Sequence, residues 1–274
     1  MRALKLVAGS LVLLALALTA AQAGTVMVVD TWAYDPYSDS GVYTLYVGEN
    51  KVRVEIVEKE RIVHVLFDLE NKDAPVMWMM DPAAQTYTKM DLKTLEKIQS
   101  AVQAQMEMLE NYTAKMPQEE KAEFTKQYKK NIRQAEDMLK FDERAKKTTY
   151  ELVAAGEKVK TWTCDHVKGT FNKELYREVW VAPYGDLGVE PGDLAILTAL
   201  SQVFKAWVGD ARPFAGLKVD KSDKPIEGYP VKIVYYEEGN KIVRQELKEI
   251  RKEDVDPKLF VLPEGYTEKP AEVQ

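Results

Sequence analysis

Few side chains in this chain are of the kinds that do chemistry. It carries two histidines, His64 and His166, and a single cysteine, Cys164. Cys164 and His166 stand two apart in Thr163-Cys164-Asp165-His166. On a strand that spacing puts both on one face, as a thiol–imidazole pair needs. Residues two apart on a strand are about 7 Å from each other, however, which is beyond hydrogen-bond reach. The expectation is a buried thiol beside a half-buried histidine. Asp165 falls on the opposite face and completes no dyad. No Gly-x-Ser-x-Gly elbow, phosphate-cradling glycine loop or His-Glu-x-x-His is present. No catalytic residue is assigned, and the expectation is a protein that is not an enzyme.

Methionine is the next chemistry to weigh. Met77, Met79 and Met80 cluster in one stretch, and Met106, Met108, Met116 and Met138 follow in another. Soft thioethers can hold Cu(I). On a strand, though, Met77 and Met79 take one face while Met80 shares the other with Trp78. On a helix Met106 and Met108 splay by roughly 200°. Convergent ligation is not expected, and no metal or cofactor is assigned. Adaptable core packing, or the lining of a pliable apolar pocket, suits these side chains better.

The elements that would position such a pocket are readable. Val52, Val54 and Ile56 alternate with Arg53 and Glu55, and Val63, Val65, Phe67 and Leu69 continue the period of two. The apolar run Val76 to Met80 stops at Asp81-Pro82, a turn signal, before Thr86-Tyr87-Thr88 resumes with strand formers. Short connections make these strands neighbours in an antiparallel meander. Asp91 is a helix N-cap, and Leu95, Ile98, Val102, Met106, Leu109, Tyr112 and Met116 recur at helical spacing. Pro117 opens a second helix whose stripe is Phe124, Tyr128, Ile132, Ala135 and Leu139. Residues 92–147 are therefore expected to form a helical hairpin, or one kinked rod, covering the meander.

The second half turns β again. Strands are expected at 148–155 and 159–167 around Gly156, at 174–182, and in a hairpin of 229–236 with 241–250. Residues 191–208 predict a helix with the stripe Leu194, Leu197, Leu200, Phe204 and Trp207. Leu259 to Pro263 reads as a last short strand, and 267–274 as a polar tail. The fold class expected is α+β: a curved antiparallel sheet, a half-open barrel, covered by a long helical hairpin and one shorter helix. Its inward face is expected to carry Val54, Ile56, Val65, Phe67, Trp78 and Met80. Met106, Leu109 and Met116 would complete the pocket lining from the cover.

The first 23 residues read as a leader to be removed. Arg2 and Lys5 precede the apolar run Leu6 to Leu18, and Ala21-Gln22-Ala23 is a small-x-small cleavage site. The run is too short to anchor the chain across a bilayer. The expectation is a periplasmic protein cut after Ala23, with 24–274 as one domain. The formal net charge is −6, and losing the leader makes it about two charges more acidic. That balance argues against nucleic acid, whose binding rests on neutralising phosphates. One cysteine allows no disulfide within the chain, so a packed core must carry the stability.

Several short motifs together resemble a known family. Lys51-Val52-Arg53-Val54-Glu55, Trp78-Met79-Met80-Asp81-Pro82 and Tyr87-Thr88-Lys89-Met90 are joined by Thr163-Cys164-Asp165-His166 and Glu178-Val179-Trp180-Val181-Ala182. Gly228-Tyr229-Pro230-Val231 and Phe260-Val261-Leu262-Pro263-Glu264-Gly265-Tyr266 complete the set. The pattern looks like secreted Gram-negative proteins of the domain of unknown function 4412 type. More remotely, Trp-x-x-Asp-Pro and the Pro-Glu-Gly ending resemble the periplasmic lipoprotein carriers, half-barrels that hold acyl chains under wrapped helices. The turn Gly48-Glu49-Asn50 departs from those carriers by lacking their lid-gripping arginine, so no functional residue carries over. The resemblance implies a protein that binds or carries a lipid or lipoprotein acyl chain. The alternative is an envelope module with a filled core that binds a protein partner.

Overall fold

In the computed structural model the residues described are 22–34, 40–71, 74–125, 147–204, 217–219 and 226–271. The leader expected at 1–23 lies outside them except for Gln22 and Ala23, and most of the second helix of the expected hairpin lies outside them too.

The chain begins with β1 (Gln22–Ala33) and then builds the meander β2 (Gly41–Val47), β3 (Lys51–Glu58), β4 (Arg61–Asp68), β5 (Val76–Asp81) and β6 (Thr86–Asp91). Helix α1 (Leu92–Thr113) follows directly, and residues 118–125 begin a further helical segment. The second half holds β7 (Thr149–Val159), β8 (Trp162–Phe171) and β9 (Glu174–Ala182). Two 3-10 turns lead into α2 (Ala195–Phe204), and β10 (Leu217–Val219), β11 (Ile226–Glu237) and β12 (Asn240–Val255) follow. A third 3-10 turn at Pro257–Phe260 precedes β13 (Thr267–Glu268).

The sheet is one open surface in the order β13-β6-β5-β4-β3-β2-β1-β12-β11-β9-β8-β7, with β10 paired on β11. All pairings are antiparallel except β13 with β6. The two halves are joined by β1 against β12, paired from Gln22–Val255 to Ala33–Val243. Hairpin chemistry sets the tight connections. Glu238 and Gly239 take φ of +50° and +78°, the left-handed pair that a two-residue hairpin requires.

Two corrections to the expected strands concern loops. β7 runs through Gly156 without ending, because that glycine sits at φ +77° within a bulged stretch and the turn comes at Lys160 instead. The segment expected as a strand at 259–263 is a 3-10 turn and an extended strap. Pro257 supplies the first-turn φ, and the Asp256 carboxylate accepts from the Lys258 amide at 2.9 Å. The final strand forms inside the expected polar tail, where Thr267 and Glu268 pair with Thr86 and Tyr87.

The cover also differs from expectation. Asp91 caps α1 as expected, accepting from the Thr94 amide at 2.8 Å. Yet the main sheet neighbour of α1 is β6, the strand it continues, and Met108 and Tyr112 are 64% and 59% exposed. Among the described residues the meander is covered in part by the segment leading into and through α2, the shorter helix of the expected cover. Leu187, Val189, Leu194, Ile196, Leu197 and Leu200 share one buried cluster with Val54, Val65, Phe67 and Met77. The reason is compositional. No charged residue interrupts Ala195–Phe204, whereas α1 carries Lys93, Glu96, Lys97, Glu107 and Glu110, so burying α2 removes more apolar surface per turn from water.

Candidate ligand-binding face

The inner face of the meander is built by alternation carried across strands in register. Val52 stands opposite Phe67, which stands opposite Met77. Val54 stands opposite Val65, which stands opposite Met79. Nearest α2 these side chains are closed off. Further along, Tyr43, Ile56, Val63 and Met90 are only partly buried against the same cluster, and Met79 is 38% exposed. Apolar surface on this face therefore extends beyond its described cover.

Of the residues expected to line one pocket, Val54, Ile56, Val65 and Phe67 are brought together here. Trp78 and Met80 are not. They lie on the other face of the sheet, in a cluster with Val26, Leu66, Val255 and Phe260 under the strap. The register explains the exchange. Trp78 pairs with Leu66 and Met80 with His64, so the phase of β5 relative to β4 is one residue from the expected one. Met77 and Met79 take the inner positions. Met106, Leu109 and Met116 are half-buried, on α1 and just beyond it.

The outer face holds a polar group beneath the strap. The Arg53 guanidinium is 5% exposed. It donates from Nε to Glu55 at 3.2 Å and from Nη1 to the Leu259 carbonyl at 3.3 Å. Its Nη2 lies 2.6 Å from His64 Nδ1. An arginine only donates, so His64 Nδ1 must accept and the ring is neutral in this arrangement. Burial first, and then the Arg53 charge, lower the His64 pKa, while Glu55 acts in the opposite sense.

The second half places its chemistry in a cross-strand row. His166 pairs with Trp180, Trp180 with Lys232, and Lys232 with Glu246. The His166 ring stacks on Trp180 with centroids 4.1 Å apart, and Lys232 Nζ stands 3.9 Å from the Trp180 ring centroid. Trp180 Nε1 donates to Glu157 at 2.7 Å, and His166 Nδ1 lies 3.3 Å from the same carboxylate. The Trp180 hydrogen bond is the first cause holding the Glu157 carboxyl below its ordinary pKa. His166 Nε2 comes within 3.3 Å of Glu178 without hydrogen-bond alignment. Cys164 is buried as expected, its sulfur facing the Trp162 carbonyl at 3.8 Å. Burial pushes its thiol up to about 11, the reverse of an activated nucleophile. Sequence reading passed over this row because its members alternate with apolar neighbours on four separate strands.

An open cleft of about 800 Å³ lies where the ends of β1, β2 and β12 meet the start of α2. Val47, Ala195 and Ile196 supply its apolar wall, and Glu49, Asp193, Lys252, Glu253 and Asp254 its polar one. Lys252 bridges it to Asp193 at 2.5 Å. Among the described residues no helix is long and apolar enough to cross a membrane. The described geometry offers non-directional apolar surface flanked by paired charges, an arrangement suited to binding.

The model of a domain of unknown function, DUF4412, matches residues 105–266. A solved structure, that of LolA superfamily protein NE2245 from Nitrosomonas europaea, is similar over 88% of this chain and 91% of that one. Its sequence identity is 12% and its TM-score 0.30. No curated protein matches.

Proposed function

The chain belongs to the DUF4412 family, a domain of unknown function, and we propose that it is a non-enzymatic periplasmic protein that binds or carries a lipid or other apolar ligand. One observation carries the reading. The apolar inner face of the meander continues past the segment around α2, leaving Tyr43, Ile56, Val63 and Met79 partly open beside the buried cluster of Val54, Val65, Phe67 and Met77. Apolar surface left unburied on a folded sheet is costly unless something apolar covers it. A cover formed by the segment after α1 would suit this reading, and within its described part the Tyr112 ring meets Phe124 edge-on at 6.0 Å. Met106 and Met116 would give such a cover pliable packing.

The test is native mass spectrometry of the protein purified from its own envelope, followed by titration of the delipidated protein with dansyl-undecanoic acid. The expected result is a co-purifying apolar molecule and saturable binding that Ile56→Asp and Val63→Asp weaken. A protein that arrives empty and binds no probe would overturn the reading.

A second reading has its own support. Met108 and Tyr112 stand exposed on α1, which suits a helix that docks on a partner protein of the envelope. Crosslinking from position 108 in intact cells would then capture one defined protein, and Tyr112→Glu would abolish the capture.

A further inference from the structure

At one end of the meander, apolar side chains are left open on both faces of the sheet. Tyr43, Ile56 and Val63, the partly open residues of the inner face, form one cross-strand row. The next row, Val42, Val57 and Ile62, points to the outer face, and Asp30 continues it on β1. Trp32 and Tyr34 carry that outer face onward, two and four residues beyond Asp30. Val42, Val57, Ile62, Trp32 and Tyr34 are each at least 36% exposed. Ten large apolar side chains among the described residues are this open, and five stand at this corner, so they form a patch and not a scatter. The strap packs on Val26, Leu66 and Met80 at the opposite end of the same face and leaves the patch bare.

The charges around the patch are matched. Asp30 stands 4.0 Å from Lys248, and Glu246 accepts from Arg244, whose guanidinium lies over the Trp32 ring. Glu55 accepts from Arg53 at 3.2 Å, and His64, two residues from Ile62, is the neutral ring that accepts from the same arginine. The β3–β4 hairpin tip is Glu58-Lys59-Glu60-Arg61, two charges of each sign, and the β11–β12 turn beyond Tyr34 adds Glu237, Glu238 and Lys241. In a chain of net charge −6 this corner is close to neutral. The patch offers on the order of a few hundred Å², short of the roughly 800 Å² that each partner of a stable protein complex buries. An anionic membrane would repel the chain as a whole. A zwitterionic bilayer presents ammonium and phosphate together, meeting both signs of the border, and its interface favours Trp and Tyr.

We propose that this end of the meander docks on a zwitterionic phospholipid bilayer, with Val57 and Ile62 entering the lipid and Trp32 and Tyr34 at headgroup level. This rests on the ligand-binding reading above and adds to it the surface with which an apolar ligand is exchanged. The open inner row lies one residue away on each strand, so a lipid leaving the bilayer reaches the ligand face along a continuous apolar hairpin. Glu58, Lys59, Glu60 and Arg61 remain among the headgroups, which keeps the dock shallow and reversible.

Flotation of the protein with vesicles of phosphatidylethanolamine and phosphatidylcholine, and with vesicles of phosphatidylglycerol, tests it. The expected result is saturable binding to the neutral vesicles and weaker binding to the anionic ones. Val57→Thr with Ile62→Thr should lower the partition coefficient about tenfold. Both threonines keep the β-branched shape, so the urea midpoint and the binding of dansyl-undecanoic acid should match the parent. A parent that ignores neutral vesicles, or binding that the double variant leaves unchanged, would overturn the dock. A parent that sediments as a dimer which the double variant dissociates would make the patch a contact between copies and overturn it equally. Vesicle binding without probe binding would keep the dock and sink the ligand-binding reading. Probe binding without vesicle binding would do the reverse.

Discussion

Arg53 and His64, on neighbouring strands, meet at 2.6 Å between Nη2 and Nδ1, and the same guanidinium holds the strap through the Leu259 carbonyl. The contact requires a neutral imidazole, and the lowered His64 pKa agrees with that requirement. A histidine whose folded pKa lies below its unfolded value contributes stability above about pH 6.5, and loses it as pH falls toward the folded value. Urea midpoints should therefore drop between pH 7.5 and 5.5 by more in the parent than in His64→Gln, whose amide oxygen accepts from Arg53 at either pH. Identical pH slopes would show that His64 does not hold the strap.

Trp78 and Ile56 separate stability from binding. Trp78 packs under the strap on the outer face, so Trp78→Ala should cost about 2–4 kcal/mol in chemical denaturation and leave apolar-ligand affinity unchanged. Ile56 is half-buried on the inner face, so Ile56→Asn should cost less stability and lower that affinity severalfold. The reverse pattern would place the ligand on the outer face.

Gly228 admits no side chain. A Cβ there would collide with the Ala182 carbonyl where β11 meets β9, and backbone cannot swing aside as a flexible side chain does. Gly228→Ala should lower the unfolding free energy by at least about 2 kcal/mol. A neutral variant would mean that the two strands are held less tightly than their pairing implies.

Cys164 should behave as a small buried hydrophobe. With its pKa near 11, thiolate is about one part in a thousand at pH 8, and the sulfur is shielded besides. Ellman's reagent should react slowly with the folded protein and stoichiometrically once it is unfolded. Fast reaction of the native protein would contradict the burial.

Helix α1 should open independently of the sheet. Its amides from 94 to 113 should exchange faster than those of β3 and β4, given its sparse packing. Asp91→Ala removes its capping oxygen at a cost of about 1 kcal/mol, which should appear as further loss of protection in α1 and not in the global midpoint. Equal protection of α1 and the sheet would mean that residues beyond 125 lock the helix down.

The sequence alone determined most strands, the N-cap at Asp91, the β11–β12 turn and the burial of Cys164. Each of these is a local matter. Within one strand, side-chain alternation declares both faces, and within one turn the residue types declare the backbone. The tertiary structure decided what local pattern cannot transmit. Alternation does not carry its phase through a loop, so Trp78 and Met80 exchanged faces with Met77 and Met79 once β5 paired with β4. Two helical stretches both offered apolar stripes to one sheet, and α2 took the described cover because burying it leaves no charge stranded. The row from His166 to Glu246 exists only because the bulge between Pro230 and Lys232 brings the lysine opposite Trp180. The row is a property of four strands brought together, and no one of them carries it alone.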